Sequence, residues 1–200
     1  MSLWRRSSRG EHVDAPSANV RRPGGARALG VRAARLSAIP NGTRVRMYAV
    51  ARGADQFLNS PVMQQPCIAY RLVVEEPGWH KVHDSAECTP FFLAQDGEVV
   101  ISVRGPFKVV LDTKYEWEFG PEVQRRITTL LHHAPWKDYR YYEALIRPGD
   151  RISIEGFASV TVDPVGERTA LREPPLLYTV TGTPERPAIV SVPERGSMAP

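Results

Sequence analysis

Cysteine is nearly missing from this chain: Cys67 and Cys88 are the only two in 200 residues. Two thiols cannot furnish a zinc ribbon, a RING or a disulfide framework, although they can form one disulfide or stay reduced and part-buried in a reducing compartment. Long apolar runs are missing too. Stretches such as Val99–Val103 fall far short of the ~20 apolar residues that a membrane-spanning helix requires, so this reading does not have the chain crossing a bilayer by itself. The start of the chain lacks the apolar core of a secretory signal. The nucleophile elbow, the phosphate-binding glycine loop, the dinucleotide fingerprint and the zinc-protease helix motif are also absent, which removes the strong catalytic signals. Lysine is scarce, with 4 against 22 arginines, a bias that fits GC-rich coding and a bacterial gene.

What remains is ordinary globular material with an uneven charge. Hydrophobic residues at 42%, charged residues at 24% and a mean hydropathy of −0.31 exclude both disorder throughout and a polytopic membrane protein. The net charge of +4 is misleading as a whole-chain property. Residues 1–37 hold eight arginines against Glu11 and Asp14, a surplus of six positive charges, so the other 163 residues carry −2. The expected organisation is an arginine-rich tail over 1–37, a folded body over 38–192 and a flexible end over 193–200. The tail has three readings: a solvated disordered segment, a charge tether to an anionic membrane surface or nucleic acid, or a mitochondrial presequence. A short helix is open to it over Ala26–Leu36.

The body reads as strands. From Thr43, Val45, Met47, Ala49 and Ala51 alternate with Arg44, Arg46, Tyr48 and Arg52, the period of a half-buried strand. Ile68, Tyr70, Leu72 and Val74 repeat the arrangement, and Pro77-Gly78 supplies a type II turn into residues 79–83. Phe91–Leu93 and Val99–Val103 flank Asp96-Gly97, which suits a tight hairpin. Phe107, Val109 and Leu111 form a further strand. Strands then return at 139–146, 151–160, 176–181 and 188–192, with Pro148-Gly149 between the first two. One segment has helical spacing: Val123, Ile127, Leu130 and Leu131, with Pro121 in its first turn and His132 and His133 at its end. The expected fold is mainly β, of the α+β kind: a small antiparallel barrel or sandwich of eight or nine short strands with one inserted helix.

Candidate chemistry is sparse. His80, His83 and Cys88 are the best metal set, but on a strand the two histidines point to opposite faces, so no metal and no cofactor is expected. Cys67 lies inside a strand pattern, where burial raises a thiol pKa and blunts it as a nucleophile. Glu143 sits among Tyr139, Tyr141 and Tyr142, where a buried carboxylate satisfied by tyrosine hydroxyls or an arginine is the plain reading. A catalytic role with His80, His83 or Cys88 is the sharper one. Trp79, Phe91 and Phe92 read as core aromatics.

The order of these pieces carries a resemblance. Asn59-Ser60-Pro61, Pro66-Cys67-Ile68-Ala69-Tyr70-Arg71, Val74-Glu75-Glu76, Trp79, Pro90-Phe91-Phe92-Leu93, Asp96-Gly97-Glu98 and Tyr142-Glu143 before Pro148-Gly149-Asp150 and Gly156 resemble the GIDE, or "beside a membrane", domain. That module occurs in membrane-anchored RING ubiquitin ligases and in bacterial proteins, and the likeness covers residues 40–192. A RING needs about eight Cys and His ligands for two zinc ions. After Cys88 this chain has no cysteine and only His132 and His133, so a ubiquitin-ligase label would not carry the activity over. The resemblance implies a non-catalytic, cytoplasmic binding module that engages a protein or small ligand, peripheral to a membrane at most. Its contact surface is expected near the Pro61–Pro66 and Asp84–Pro90 loops, and its candidate binding residues are Pro61, Gln64, Gln65, Trp79, His80, His83, Glu87, Tyr142 and Glu143. The rival readings are an enzyme using Glu143 and a nucleic-acid-binding OB-like barrel. The latter is disfavoured by the body's charge of −2 and by aromatics in core-like alternation.

Overall fold

The computed structural model describes residues 29–30, 38–78, 80–95, 99–112, 120–132, 139–162 and 176–193. Along the chain these form β1 (Leu29–Gly30), β2 (Thr43–Ala54), β3 (Leu58–Asn59), β4 (Pro66–Cys67), β5 (Ala69–Glu76), β6 (His80–Cys88), β7 (Phe91–Gln95), β8 (Val99–Arg104) and β9 (Phe107–Val110). Helix α1 (Pro121–Leu131) follows, and then β10 (Arg140–Ile146), β11 (Arg151–Val162), β12 (Leu176–Thr181) and β13 (Ala188–Ser191). Among the described residues the fold is mainly β with one helix, as expected.

Five strands close a barrel in the order β2, β7, β8, β12, β11 and back to β2. Counted along the chain, these are the first, second, third, fifth and fourth barrel strands, with the third and fifth parallel. That is the connectivity of an OB-type Greek-key barrel. Period-two patterning explains the interior. Val45, Met47, Ala49 and Ala51 of β2 meet Phe91 and Leu93 of β7, Ile101 and Val103 of β8, Ile152 and Ile154 of β11 and Val180 of β12. Each fully buried Val, Leu, Ile, Met or Phe side chain contributes about 1.5–3 kcal/mol.

Beyond the barrel, β11 is shared. Phe157–Val162 pair with β12, Ser153–Glu155 pair with β13, and Gly156 lies between the two partners. A Cβ at Gly156 would come within 2.7 Å of Val180 Cγ1 and 2.8 Å of the Thr181 carbonyl oxygen. Only glycine lets two strands share one edge this tightly. β13 then pairs with β9 and extends the sheet.

A second, smaller layer is built from two insertions. β5 and β6 arise between the first and second barrel strands, while α1 and β10 arise between the third and fourth. They assemble as a three-stranded antiparallel sheet in the order β10, β5, β6. Its core is Val62, Cys67, Tyr70, Leu72, Val74, Tyr139 and Tyr141 packed on Ile127 of α1. Gly120 precedes the helix, Pro121 occupies its first turn, and His132 ends it in the left-handed region at φ 52°. Pro77-Gly78 and Pro148-Gly149 turn as expected, with Gly78 at φ 95° and Gly149 at φ 96°.

The structure corrects several expectations. Among the described residues there are thirteen strands, three of them only two residues long, against the eight or nine expected. The sheet is not wholly antiparallel: β1 with β2, β8 with β12 and β9 with β13 run parallel. The long connections between those strands make room for the crossovers that parallel pairing demands. Residues 84–88, expected in a loop, complete β6, and only 89–90 connect it to β7. Leu29–Gly30 lie extended beside Val45–Arg46, inside the segment where a short helix was open.

Candidate functional site

β10 alternates its side chains between the two layers. Tyr141 and Leu145 join the second core and Ala144 packs against the barrel. By the same alternation Glu143 points with Tyr141 and Leu145, and it is only 4% exposed. Its partners are neither the tyrosines nor an arginine. Glu143 Oε1 accepts the backbone N–H of Val62 at 2.9 Å and Oε2 that of Met63 at 2.8 Å. Sequence cannot announce such partners, because backbone N–H groups carry no residue code.

Those two bonds secure the loop at 60–65. The Gln64 N–H donates to the Ser60 carbonyl at 3.0 Å, the Ser60 N–H to the Gln65 carbonyl at 3.0 Å, and the Gln65 N–H to Ser60 Oγ at 3.2 Å. This tight closure places Gln64 at φ 54°, in the left-handed region. From the helix, Arg126 Nη1 donates to the Val62 carbonyl at 2.7 Å, and Arg147 donates to Gln65 Oε1. Loop and helix together wall a groove of about 460 Å³ lined by Pro61, Gln64, Glu122, Arg125, Arg126 and Thr129. Arg125 and then Arg126 hold the Glu122 carboxyl below its ordinary pKa.

The other sequence-predicted residues do not converge on Glu143. β5 lies between β10 and β6, so Glu143 and the histidines stand on strands about 10 Å apart. His80 is exposed, and His83 Nε2 hydrogen-bonds with Ser85 Oγ at 2.8 Å. Glu87 accepts the Tyr70 hydroxyl at 3.0 Å, and burial followed by Glu87 pushes the Tyr70 pKa up to about 12. The Tyr142 hydroxyl donates to Glu75 at 3.0 Å on the opposite face of the sheet. Phe91 is core, as expected, while Phe92 is only half-buried. Trp79 lies outside the described residues. Among the described residues no three His, Cys, Asp or Glu groups are placed to hold a metal ion, and no helix is long and apolar enough to cross a membrane.

Both cysteines are free and pack into different cores, Cys67 in the second and Cys88 against the barrel. Burial is the main cause that pushes Cys67 up to about 11 and Cys88 up to about 12, so both are neutral thiols at physiological pH.

Two features escaped the sequence reading. The Tyr139 hydroxyl is buried with no hydrogen-bond partner among the described residues. On the barrel's outer face, Glu155 binds both Arg44 and Arg46, the latter through Nη2 at 2.5 Å and Nε at 3.0 Å. Arg46 and Glu155 are direct cross-strand neighbours, a pairing that a separation of 109 positions hides from any local pattern. On β7 and β8, the faces an OB-type nucleic-acid binder uses, Ser102 is buried and accepts the Arg104 side chain at 3.2 Å. Compared with protein-family models, curated proteins and solved structures, the chain matches none.

Proposed function

We propose that this chain is a non-catalytic binding module of the GIDE kind, which recognises a partner protein through the 60–66 loop and the adjoining face of α1. The observation that carries the reading is the use of Glu143. Both its oxygens are committed to backbone N–H groups of the loop, so the acid best placed for chemistry is a post that fixes a displayed surface. Binding residues favour loops on rigid scaffolds. Gln64 and Pro66 are exposed on this one, next to the exposed side chain of Arg125.

Support for the GIDE resemblance comes from where its residues fall. Ser60 closes the loop, Glu143 anchors it, Tyr142 holds Glu75, and Pro148-Gly149 turns the chain from β10 into the barrel. Residues dispersed over ninety positions thus serve one small unit. In this reading the arginine-rich segment 1–37 serves as an electrostatic tether that holds the module against an anionic, cytoplasmic membrane surface. Ubiquitin transfer is not part of this reading.

A photocrosslinking amino acid at Gln64 or Thr129 should capture the same partner from cells of the source, whereas one at Glu185, on the β12–β13 turn, should not. Capture of nothing specific, or of the same proteins from all three positions, would remove the contact assignment. Binding to anionic vesicles should fall steeply with salt and vanish without residues 1–37; salt-independent binding contradicts the tether.

A further inference from the structure

On the outer face of the barrel, away from the 60–66 loop, a groove of about 730 Å³ runs over β2, β11 and β13 and is walled by β10 and the chain leaving β9. Its polar lining is Arg46, Tyr48, Asp112, Ser153, Glu155 and Ser191. Register explains the gathering. Tyr48, Ser153 and Ser191 stand side by side across three strands, and Arg46 and Glu155 form the next row. Ser153 and Glu155 are each only 8% exposed although they point away from the barrel core. Tyr48 is 41% exposed.

From this geometry we infer that the groove is a binding site for a neutral, polyhydroxylated ligand of the saccharide class. Its volume lies within the range of small-ligand sites. Charge argues for neutrality: Glu155 is held by Arg44 and Arg46 together, and with Asp112 at the rim the two positive and two negative groups cancel. An anion would have to compete with Glu155 for its arginines, and a cation would face those arginines directly. What the groove offers is donors and acceptors in both senses: guanidinium N–H groups, the Asp112 carboxylate and the Ser153 and Ser191 hydroxyls. A sugar ring presents hydroxyls of both senses at its edge and C–H groups on its faces. The exposed Tyr48 ring supplies a flat apolar surface for such a face. A peptide is less well served, because the floor is the face of a sheet and gives a peptide backbone no strand edge to pair with.

The test is titration of the full chain, with amide NMR shifts as readout, using maltotriose, cellotriose and N-acetylchitotriose as neutral probes and inorganic phosphate as the charged one. At least one trisaccharide should give saturable shifts at Tyr48, Ser153 and Ser191. Tyr48→Ala should weaken that binding about tenfold, corresponding to ~1.4 kcal/mol, while Lys108→Ala leaves it unchanged. Tyr48 is exposed, so its replacement leaves the fold intact for the comparison; the NMR spectrum checks this. Shifts at these residues with phosphate but with none of the sugars, shifts confined elsewhere, or no shifts at all would overturn the assignment.

Discussion

Glu143 carries more of the second layer than its size suggests. Its replacement by alanine leaves the N–H groups of Val62 and Met63 without acceptors, at about 2–4 kcal/mol. Glu143→Gln keeps one acceptor oxygen and should lose about half as much. Urea midpoints read the stability, and amide exchange should rise at residues 62 and 63 first. An unchanged midpoint in the alanine variant would refute the anchoring role. Tyr139 gives the opposite case. Its hydroxyl is buried without a partner among the described residues, so Tyr139→Phe removes a desolvated polar group while keeping the ring. Stability should stay level or rise by about 1 kcal/mol; a clear loss in the same urea melts would mean that the hydroxyl is satisfied.

At the level of elements, legibility followed local pattern. β2 was readable because Val45, Met47, Ala49 and Ala51 alternate with arginines, and α1 because Ile127 and its neighbours recur at helical spacing beside Pro121. β6 was not. Its two faces are both largely exposed, with Lys81, Val82, Asp84, Ala86 and Glu87 all in solvent, so no alternation marks it, and 84–88 read as loop. Between Val74 and Glu75 the register slips, leaving Val82 as an extra residue on β6. Charges and a bulge on an edge strand discourage pairing with other chains. The candidate loop was legible as Pro and Gln between strands, but its anchor was not, since Glu143 lies 80 positions away from Met63. Turn glycines were readable while packing glycines were not. Gly149 has φ 96° with open space around it, so Gly149→Ala should cost about 1 kcal/mol of backbone strain. At Gly182 a Cβ would run into the Ala188 nitrogen and the Pro106 carbonyl oxygen, so Gly182→Ala should cost about 3 kcal/mol or more. Thermal melts that ranked the two the other way would show that the Gly182 contacts relax.

For the whole molecule, the thiols link the two layers to pH. The folded values of Cys67 and Cys88, about 11 and about 12, lie above the ordinary thiol value of 9.0. The folded chain therefore favours neutral thiols. The associated stability is complete below about pH 9 and is lost as pH climbs through the folded values. Urea midpoints of the parent should fall more steeply above pH 9 than those of a Cys67→Ala, Cys88→Ala variant, and equal slopes would contradict the burial account. Cys67 is fully buried, so iodoacetamide at pH 8 should label it on the order of 100-fold more slowly in the folded chain than in urea. The second layer draws β5 and β6 from one stretch of chain and α1 and β10 from another, with barrel strands β7 and β8 threaded between them. No single cut can therefore lift this layer out and no single splice can donate it, so the two layers have to be inherited, truncated or transplanted as one piece.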